Sequence, residues 1–201
     1  MITSKAELNK YLHQDAVMNG FISKSGGVRL YIRIFNPQYK FLRILRFVEY
    51  YKGRRDKIIG KLMYAVEYYR FKRISMKLGY SIEPGCFGPG LSLPHYGTIV
   101  VNGASRIGAN CRLHCCTNIG ASAGEKTAPQ IGDNCYIGPG AIIFGDIHIP
   151  NNTTIGANAT VNRSFNEEHT AIAGTPAKVV KTDMKNWMEF NKVNADTIPI
   201  K

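Results

Sequence analysis

The chain of 201 residues carries 26 Lys and Arg against 14 Asp and Glu, a net charge of +12, and 44% of its residues are hydrophobic. This composition is ordinary for a globular protein and fits one folded domain with a possible appendage. The first residues lack the apolar core of a signal peptide, and Arg or Lys interrupts the longer apolar stretches, which excludes a membrane-spanning helix. We therefore expect a cytoplasmic protein.

Almost all of the excess positive charge lies in residues 28–77, where 14 Lys and Arg stand against 3 Asp and Glu, a net charge of +11. Apolar and aromatic residues recur there at helical spacing, which predicts two amphipathic helices joined around Gly53. Asn36, followed by a proline, is expected to begin the first helix and Gly79 to end the second. One apolar face is expected on each helix, lined by Phe41, Leu42, Leu45, Val48 and Tyr51 in the first and by Ile58, Leu62, Ala65 and Tyr69 in the second.

Two interpretations of this basic segment stay open at the level of sequence. In the first, the helices pack on the rest of the protein and show a solvated polar face. In the second, residues 28–77 form a surface that binds an anionic partner. The candidates are a membrane, a lipid-linked pyrophosphate and an acidic glycan. The charge exceeds what solubility needs, and because no nucleic-acid-binding motif is present we expect no nucleic-acid partner.

An aliphatic residue recurs every six positions in the second half of the chain. The run is unbroken through Ile131, Ile137, Ile143, Ile149, Ile155 and Val161, and an upstream run in the same frame comprises Ile107, Leu113 and Ile119. Helices repeat near 3.6 residues and strands near 2, so this period fits neither. It predicts a parallel β-helix in which each hexapeptide forms one face of a triangular coil, with the aliphatic residue inside and small residues at the corners.

The repeats are interrupted once and are followed by a tail. Glu125 takes a frame position where an aliphatic residue belongs, so we expect residues 120–129 to leave the coil as a loop. The tail carries Trp187 and Phe190 at helical spacing and is expected to pack back on the coils as a short helix. The sequence thus predicts a mainly β chain in three parts, which are a basic helical region at 1–78, a β-helix at 79–180 and a helical tail at 181–201.

Five cysteines occur without a Cys-x-x-Cys pair, so we expect reduced thiols in the core or at the corners of a cytosolic protein. A metal site built from Cys111, His114 and Cys115 is the alternative. Their spacing does not suit a closed zinc site, and we therefore expect no bound metal.

Three segments of the repeat region are similar to a known family. They are residues 93–101, which read Leu-Pro-His-Tyr-Gly-Thr-Ile-Val-Val, the glycine-rich coil 137–145, and the closing segment 169–180. Through them the chain resembles the hexapeptide-repeat acyltransferases, and within these the serine acetyltransferase subgroup. The resemblance implies a homotrimer of left-handed β-helices, with acetyl-CoA bound along each β-helix and three active sites between neighbouring subunits.

The same resemblance implies roles for individual residues. His95 matches the family's catalytic histidine and is expected to act as the general base, since imidazole titrates near neutral pH. The family pairs this histidine with an upstream aspartate. Ser81 and Glu83 are the nearby candidates here, and Glu83 is expected to orient His95. The expected coenzyme contacts are Ala121, Ser122, Pro139 and Ala157 along the pantetheine arm, with Lys178 and Lys181 at the phosphates.

Three positions that the family uses to recognise serine differ in this chain. Pro94 and Gly103 stand where the family has carboxylates, and Ala128 stands where it has a second histidine. Because a site for an amino acid needs charged partners, these differences argue for another acceptor. We therefore predict an acetyl-CoA-dependent O-acetyltransferase that acts on a sugar hydroxyl of a surface polysaccharide or its precursor. O-acetylation of L-serine is the alternative.

Two further alternatives have less support from the residues. A non-catalytic scaffold would be expected to lack His95 or the small residues along the coenzyme, and both are present. A γ-carbonic anhydrase on the same fold would need three zinc-binding histidines across coils, which the repeats lack. If the basic segment binds a membrane, the protein would lie peripherally at its inner face.

Overall fold

The computed structural model describes residues 2–23 and 26–193. Within these residues four helices precede thirteen short strands and a fifth helix follows. The elements are α1 Lys5–Met18, α2 Leu30–Phe35, α3 Pro37–Lys52, α4 Ile58–Leu78, β1 Tyr80–Ile82, β2 Ile99–Val101, β3 Arg106–Ile107, β4 Arg112–Leu113, β5 Thr117–Gly120, β6 Gln130–Ile131, β7 Tyr136–Ile137, β8 Ile142–Phe144, β9 His148–Ile149, β10 Thr154–Ile155, β11 Thr160–Val161, β12 Ala171–Gly174, β13 Ala177–Lys181 and α5 Trp187–Phe190. Among the described helices, none is both long enough and apolar enough to cross a bilayer.

Capping residues set the helix boundaries in the basic segment. Asn36 accepts a hydrogen bond from the backbone N–H of Tyr39 at 2.7 Å and is followed by a proline, so α3 begins there. Gly79 ends α4 in the left-handed conformation, with φ of 76°, which glycine adopts without strain. The structure has both boundaries where the sequence predicts them. The sequence pattern does not single out α1, which Ser4 caps by accepting a hydrogen bond from Glu7.

The β-helix consists of three parallel sheets, one for each face of the coil. Their strand orders are β1-β2-β5-β8-β11, β4-β7-β10-β12 and β3-β6-β9, with β13 antiparallel at the edge of the second sheet. The frame residues are at most 4% exposed, and they are Ile107, Leu113, Ile119, Ile131, Ile137, Ile143, Ile149, Ile155 and Val161. Ile119, Ile143 and Val161 pair in successive strands, so each stacks on its equivalent in the next coil. The predicted β-helix is confirmed, and helix and strand are mixed in the chain as a whole.

A ladder of asparagines stabilises one corner of the coils. Asn110, Asn134 and Asn152 have φ between 57° and 59°, a left-handed conformation that asparagine tolerates better than most residues. The side-chain amide of Asn110 donates to Asn134 at 3.1 Å, and that of Asn134 donates to Asn152 at 3.0 Å. Gln14 of α1 extends the ladder by donating to Asn110 at 2.6 Å. The polar corner residues thus satisfy one another along the axis of the β-helix.

The predicted interruption lies between β5 and β6. Residues 121–129 form no strand, and Glu125 is exposed. Arg106 pairs with Gln130, so the coil that contains the loop is 24 residues long. Gln130 pairs with His148, so the next coil is 18 residues long. The loop therefore adds six residues to one coil without shifting the aliphatic frame.

The orientation of α4 corrects the first interpretation of the basic segment. The buried residues of α4 are Gly60, Glu67, Phe71, Ser75 and Leu78. The apolar face expected from the sequence is instead exposed, and it comprises Ile58, Leu62, Ala65 and Tyr69. In α3 the expected face is at most 2% exposed at Phe41, Leu42, Leu45 and Val48. A polar outer face is therefore wrong for α4, which packs on α3 and β1 through its other side.

A buried ion network joins the helices to the first coil. Arg46 of α3 is fully buried, and it donates to Asp15 of α1 at 2.8 Å and to Glu49 at 2.9 Å. It also donates to two backbone carbonyls of the coil, those of Phe87 and Gly88. The two carboxylates accept backbone N–H groups of the same stretch, those of Gly85, Gly90 and Leu91. Burial alone would lower the pKa of Arg46, but the facing carboxylates outweigh it and raise the pKa.

The C-terminal tail returns to the coils and to α1. Asn186 caps α5, a single turn that matches the short helix predicted for the tail. Trp187 is buried against α1, and its indole N–H donates to the carbonyl of Asn110 at 2.8 Å. The part of the predicted tail at 194–201 lies outside the described residues. The helices and the coils share one hydrophobic core, so the core does not separate the three predicted parts. The division of the chain into these parts stays a prediction.

We expect Arg46→Met to lower the free energy of unfolding by about 3–5 kcal/mol, because it leaves two carboxylates buried without their counter-charge. Arg43→Met is the matched control on α3. Arg43 is exposed, so this change should alter the free energy by no more than about 0.5 kcal/mol. Urea unfolding followed by circular dichroism measures both. Equal stability of the two variants would show that the network does not hold the helices to the coil.

Candidate active site

His95 lies on an enlarged corner of the first coil. Ser92 pairs with Arg112, and Ile99 pairs with Thr117. The corner between these pairs therefore contains six residues in the first coil, 93–98, but only four in the next coil, 113–116. The larger corner projects from the β-helix, and His95 is exposed on it. The histidine segment therefore differs from the other corners in length as well as in sequence.

Tyr80 fixes the main chain of this corner. Its hydroxyl donates to the backbone carbonyl of His95 at 2.6 Å. Burial raises the pKa of Tyr80 well above its ordinary value, so the hydroxyl stays protonated and remains a donor. The imidazole of His95 makes no hydrogen bond with any part of the chain that the structure describes, which leaves it available to a substrate.

Two predicted coenzyme contacts lie below His95 on the same edge of the β-helix. In the next three coils this corner is formed by Cys115, Pro139 and Ala157. These residues and His95 each lie three positions after one of four residues that pair in succession, namely Ser92, Arg112, Tyr136 and Thr154. Pro139 and Ala157 are exposed and carry no long side chain. Successive coils are about 4.8 Å apart. We call this edge, from Cys115 to Ala157, the small-residue track, and it leads away from His95.

Lys178 and Lys181 lie beyond the far end of the small-residue track. Both are exposed on β13, which pairs with β12 at the edge of the sheet that adjoins the track. Four coil steps of about 4.8 Å place β12 about 19 Å from the level of His95. The two lysines on β13 therefore lie more than about 19 Å from the level of His95 along the axis of the β-helix.

Ala121 and Ser122 lie at a different corner. They follow β5, whereas Pro139 precedes β8 of the same sheet, so the width of one face separates the two positions. The hydroxyl of Ser122 adjoins Gly145, where an added Cβ would lie 3.2 Å from it. Within one chain the predicted coenzyme contacts therefore form two groups that do not meet.

Glu83 has a different neighbour from the one expected. It follows β1, whose Ile82 pairs with Val101, and its carboxylate lies 3.9 Å from Lys72 Nζ on the surface. Among residues 2–23 and 26–193 the structure shows no hydrogen bond between Glu83 and His95. The orienting role of Glu83 stays a prediction that the single chain does not support.

The sequence assigns His114 no catalytic role, yet the structure places it beside His95. The two ring centroids are 5.8 Å apart, and the ring of Tyr136 lies 5.0 Å from that of His114. Its Nε2 atom is buried without a hydrogen-bond partner among the described residues. Burial, followed by the charges of Arg112 and His95, lowers the pKa of His114 to about 4, so the ring is neutral near neutral pH. The coil register could have revealed this proximity in advance. Ser92 pairs with Arg112, so His95 and His114 follow paired residues in adjacent coils.

In the described part of the chain no group of three or more His, Cys, Asp or Glu side chains is placed to hold a metal ion. All five cysteines are free, and three of them are buried. Burial raises the pKa of Cys86 to about 11 and that of Cys111 well above its ordinary value, so both are protonated thiols. Cys115 and Cys116 are the two that reach the surface, at the corner next to the candidate site.

Comparison with known proteins agrees with the repeat pattern. The family described as bacterial transferase hexapeptide (six repeats) matches residues 128–163. The serine acetyltransferase of Staphylococcus aureus is 34% identical over 108 residues, which are 52% of this chain and 50% of the relative. That of Staphylococcus xylosus is 35% identical over 108 residues with the same coverage. The similarity therefore spans half the length of these relatives.

Solved structures of serine acetyltransferases share the fold over most of this chain. The protein from Vibrio cholerae O1 biovar El Tor superimposes with a TM-score of 0.74 at 19% identity, covering 97% of this chain and 73% of that one. The Brucella abortus protein in complex with coenzyme A gives a TM-score of 0.72 at 20% identity, covering 90% and 71%. The chain therefore contains hexapeptide repeats and shares the fold of these serine acetyltransferase structures, a left-handed β-helix preceded by helices.

Proposed function

We propose that this protein is an acetyl-CoA-dependent O-acetyltransferase in which His95 is the general base. The observation that carries the proposal is the enlarged corner, which holds an exposed imidazole above the small-residue track. Relatives and structural neighbours are serine acetyltransferases, and one of them was solved with coenzyme A. Use of acetyl-CoA as the donor would be consistent with the cytoplasmic localisation expected from the sequence.

The chemistry needs a base at this corner. As the acceptor oxygen attacks the thioester carbonyl carbon, its proton passes to the imidazole of His95, which becomes an imidazolium. When the tetrahedral intermediate collapses, the C–S bond breaks and the proton moves to the leaving thiolate, giving free coenzyme A and an acetyl ester. His114 is neutral because its pKa is about 4, so it adds no second positive charge beside the imidazolium.

The small-residue track suits the pantetheine arm of the coenzyme. Pro139 and Ala157 are exposed on it and leave room for an extended chain. Its edge leads from the level of His95 to β12, about 19 Å away at about 4.8 Å for each coil, and Lys178 and Lys181 lie on the next strand, β13. Lysine ammonium groups are good partners for phosphates. This geometry supports a coenzyme whose thioester lies at His95 and whose phosphates lie at the two lysines.

A homotrimer would bring the remaining contacts to the site. Ala121 and Ser122 are half-buried at a separate corner, and the loop that continues from them is exposed. In a trimer of β-helices, the loop of one copy would face the small-residue track of its neighbour. The separation of the predicted coenzyme contacts into two groups within one chain supports this arrangement, in which all six would meet between two subunits.

L-serine is the acceptor that the comparisons favour, because the relatives are serine acetyltransferases. The glycan acceptor predicted from the sequence has no such support. It remains the second candidate because Pro94, Gly103 and Ala128 offer no charge to an amino acid, and Ala128 is also buried. With a glycan, the basic segment at 28–77 would hold the anionic precursor.

Release of free thiol from acetyl-CoA by the purified protein tests the proposal. The acceptors are L-serine and, separately, nucleotide sugars and de-acetylated capsule fragments. We expect release that requires both acetyl-CoA and an acceptor. Turnover with serine would decide against the glycan, and turnover with a glycan alone would decide against serine. The proposal fails if no acceptor supports turnover and calorimetry shows no binding of acetyl-CoA.

His95→Gln is expected to lower kcat by about 10²–10⁴-fold, because the base is lost while the hydrogen bond from Tyr80 to the main chain remains. The KM for acetyl-CoA should change little, since the small-residue track is untouched. His148→Gln is the control, because His148 is an exposed histidine on a different sheet. Wild-type turnover by His95→Gln would remove His95 from the mechanism.

Protonation of His114 should weaken the fold in acid. Its pKa falls from 6.5 to about 4 on folding, so between these values the unfolded chain binds more protons than the folded one. The free energy of unfolding should therefore decrease as the pH drops from 6.5 toward 4, because His114 takes up a proton more readily in the unfolded chain. Urea unfolding at about pH 7 and about pH 5 should show a smaller loss in His114→Gln than in the wild-type chain. An equal loss in both would mean that the ring is not shielded from water.

A further inference from the structure

The outer side of α4 is apolar and exposed. Six large apolar side chains on it are between 44% and 86% exposed, namely Ile58, Ile59, Leu62, Val66, Tyr69 and Met76. We call this set the outer face of α4. Single exposed apolar residues are common on protein surfaces, whereas six along one side of a helix mark an interaction site.

The outer face lies opposite the side of α4 that packs on the core. At about 100° for each residue, its six members fall within an arc of about 100°. The centre of this arc is about 160° from that of the buried residues Gly60, Phe71 and Leu78. A helix that is apolar on two opposite sides is suited to burial on both. The described part of the chain covers one of them.

Cations border the outer face on both sides. The sequence of α4 contains five Lys and Arg and one Glu. Lys61 and Lys72 project at one edge of the face and Arg70 and Lys77 at the other. Arg73 lies within the face, where it donates to the hydroxyl of Tyr69 at 3.4 Å, and all five cations are exposed. The single carboxylate, Glu67, is 6% exposed on the core-facing side and pairs with Arg70 at 2.7 Å. The exposed charge on α4 is therefore positive.

The short helix α2 has the same chemistry. Leu30, Tyr31, Ile34 and Phe35 are between 48% and 72% exposed, and the rings of Tyr31 and Phe35 lie 5.8 Å apart. Arg33 is exposed on the same helix, which contains no acidic residue. Two separate helices of the basic segment thus combine exposed apolar side chains with exposed cations.

We propose that the outer face of α4, together with α2, binds the surface of a bilayer that contains anionic phospholipids. Apolar side chains bordered by Lys and Arg match the bilayer interface, where the former enter the acyl boundary and the latter meet the phosphates. A second copy of α4 is a poorer partner, because the association would bring two sets of cations together. The positive charge around the outer face therefore favours an anionic bilayer over a second copy of α4.

Sedimentation of the full chain with liposomes tests this surface. We expect binding to vesicles of phosphatidylcholine with about 30% phosphatidylglycerol, weak binding to phosphatidylcholine alone, and a decrease with added salt. The triple variant Leu62→Ser, Val66→Ser, Tyr69→Ser should bind the anionic vesicles at least about tenfold more weakly, because apolar area is lost from the interface.

Phe190→Ser is the matched control, since Phe190 is 61% exposed on α5, outside the outer face, and this variant should bind like the wild-type chain. Circular dichroism and thermal unfolding establish that the triple variant is folded. If it is not, Lys61→Gln with Lys77→Gln changes only exposed cations and should still weaken binding to the anionic vesicles severalfold.

Failure of the wild-type chain to bind anionic vesicles would overturn the proposal. If its molar mass in light scattering were also twice that of the triple variant, the outer face would belong to a second copy instead. Acetyl transfer to a soluble acceptor should be the same in the triple variant and the wild-type chain. Loss of membrane binding and failure of the proposed acetyl transfer are therefore separate results.

Discussion

The stacking of one aliphatic residue in every six is the constraint on which the rest of the structure depends. Each of these residues is buried by its equivalents in adjacent coils, as Ile143 is between Ile119 and Val161. The coils at the two ends therefore need a cover. Phe41 of α3 packs on the first coil, with its ring 4.8 Å from that of Tyr80, and the buried network around Arg46 holds the helix there. At the other end β13 folds back on β12.

The same stacking brings residues that are far apart in sequence to the candidate site. His95, Pro139 and Ala157 belong to different coils, but a given corner recurs on one edge of the β-helix. The corner at His95 is longer than its equivalents, and this does not disturb the core because the corner lies outside the stacked row. A corner is thus the place where a β-helix accommodates a projecting side chain such as His95 without loss of packing. The strand residues themselves have no such freedom.

The basic segment divides its charges between structure and surface. Arg46 is fully buried and joins three parts of the chain, whereas Lys61 and Lys72 are exposed beside the outer face of α4. The helix α3 uses its apolar side to cover the β-helix. The helix α4 packs through a side that includes Glu67 and Ser75 and leaves its more apolar side outward. Net charge alone therefore describes this segment poorly, because position relative to the core decides what each cation does.

The sequence by itself determined the repeat, its interruption and the helix ends at Asn36 and Gly79. These features are local, since a period or a cap depends on residues a few positions apart. A motif singled out His95, although the sequence did not reveal its enlarged corner. Only the tertiary structure decided which side of α4 is buried, that Arg46 is an interior residue, and that His114 lies beside His95. Each of these depends on contacts between distant parts of the chain, and local periodicity carries no information about which of two apolar sides meets the core.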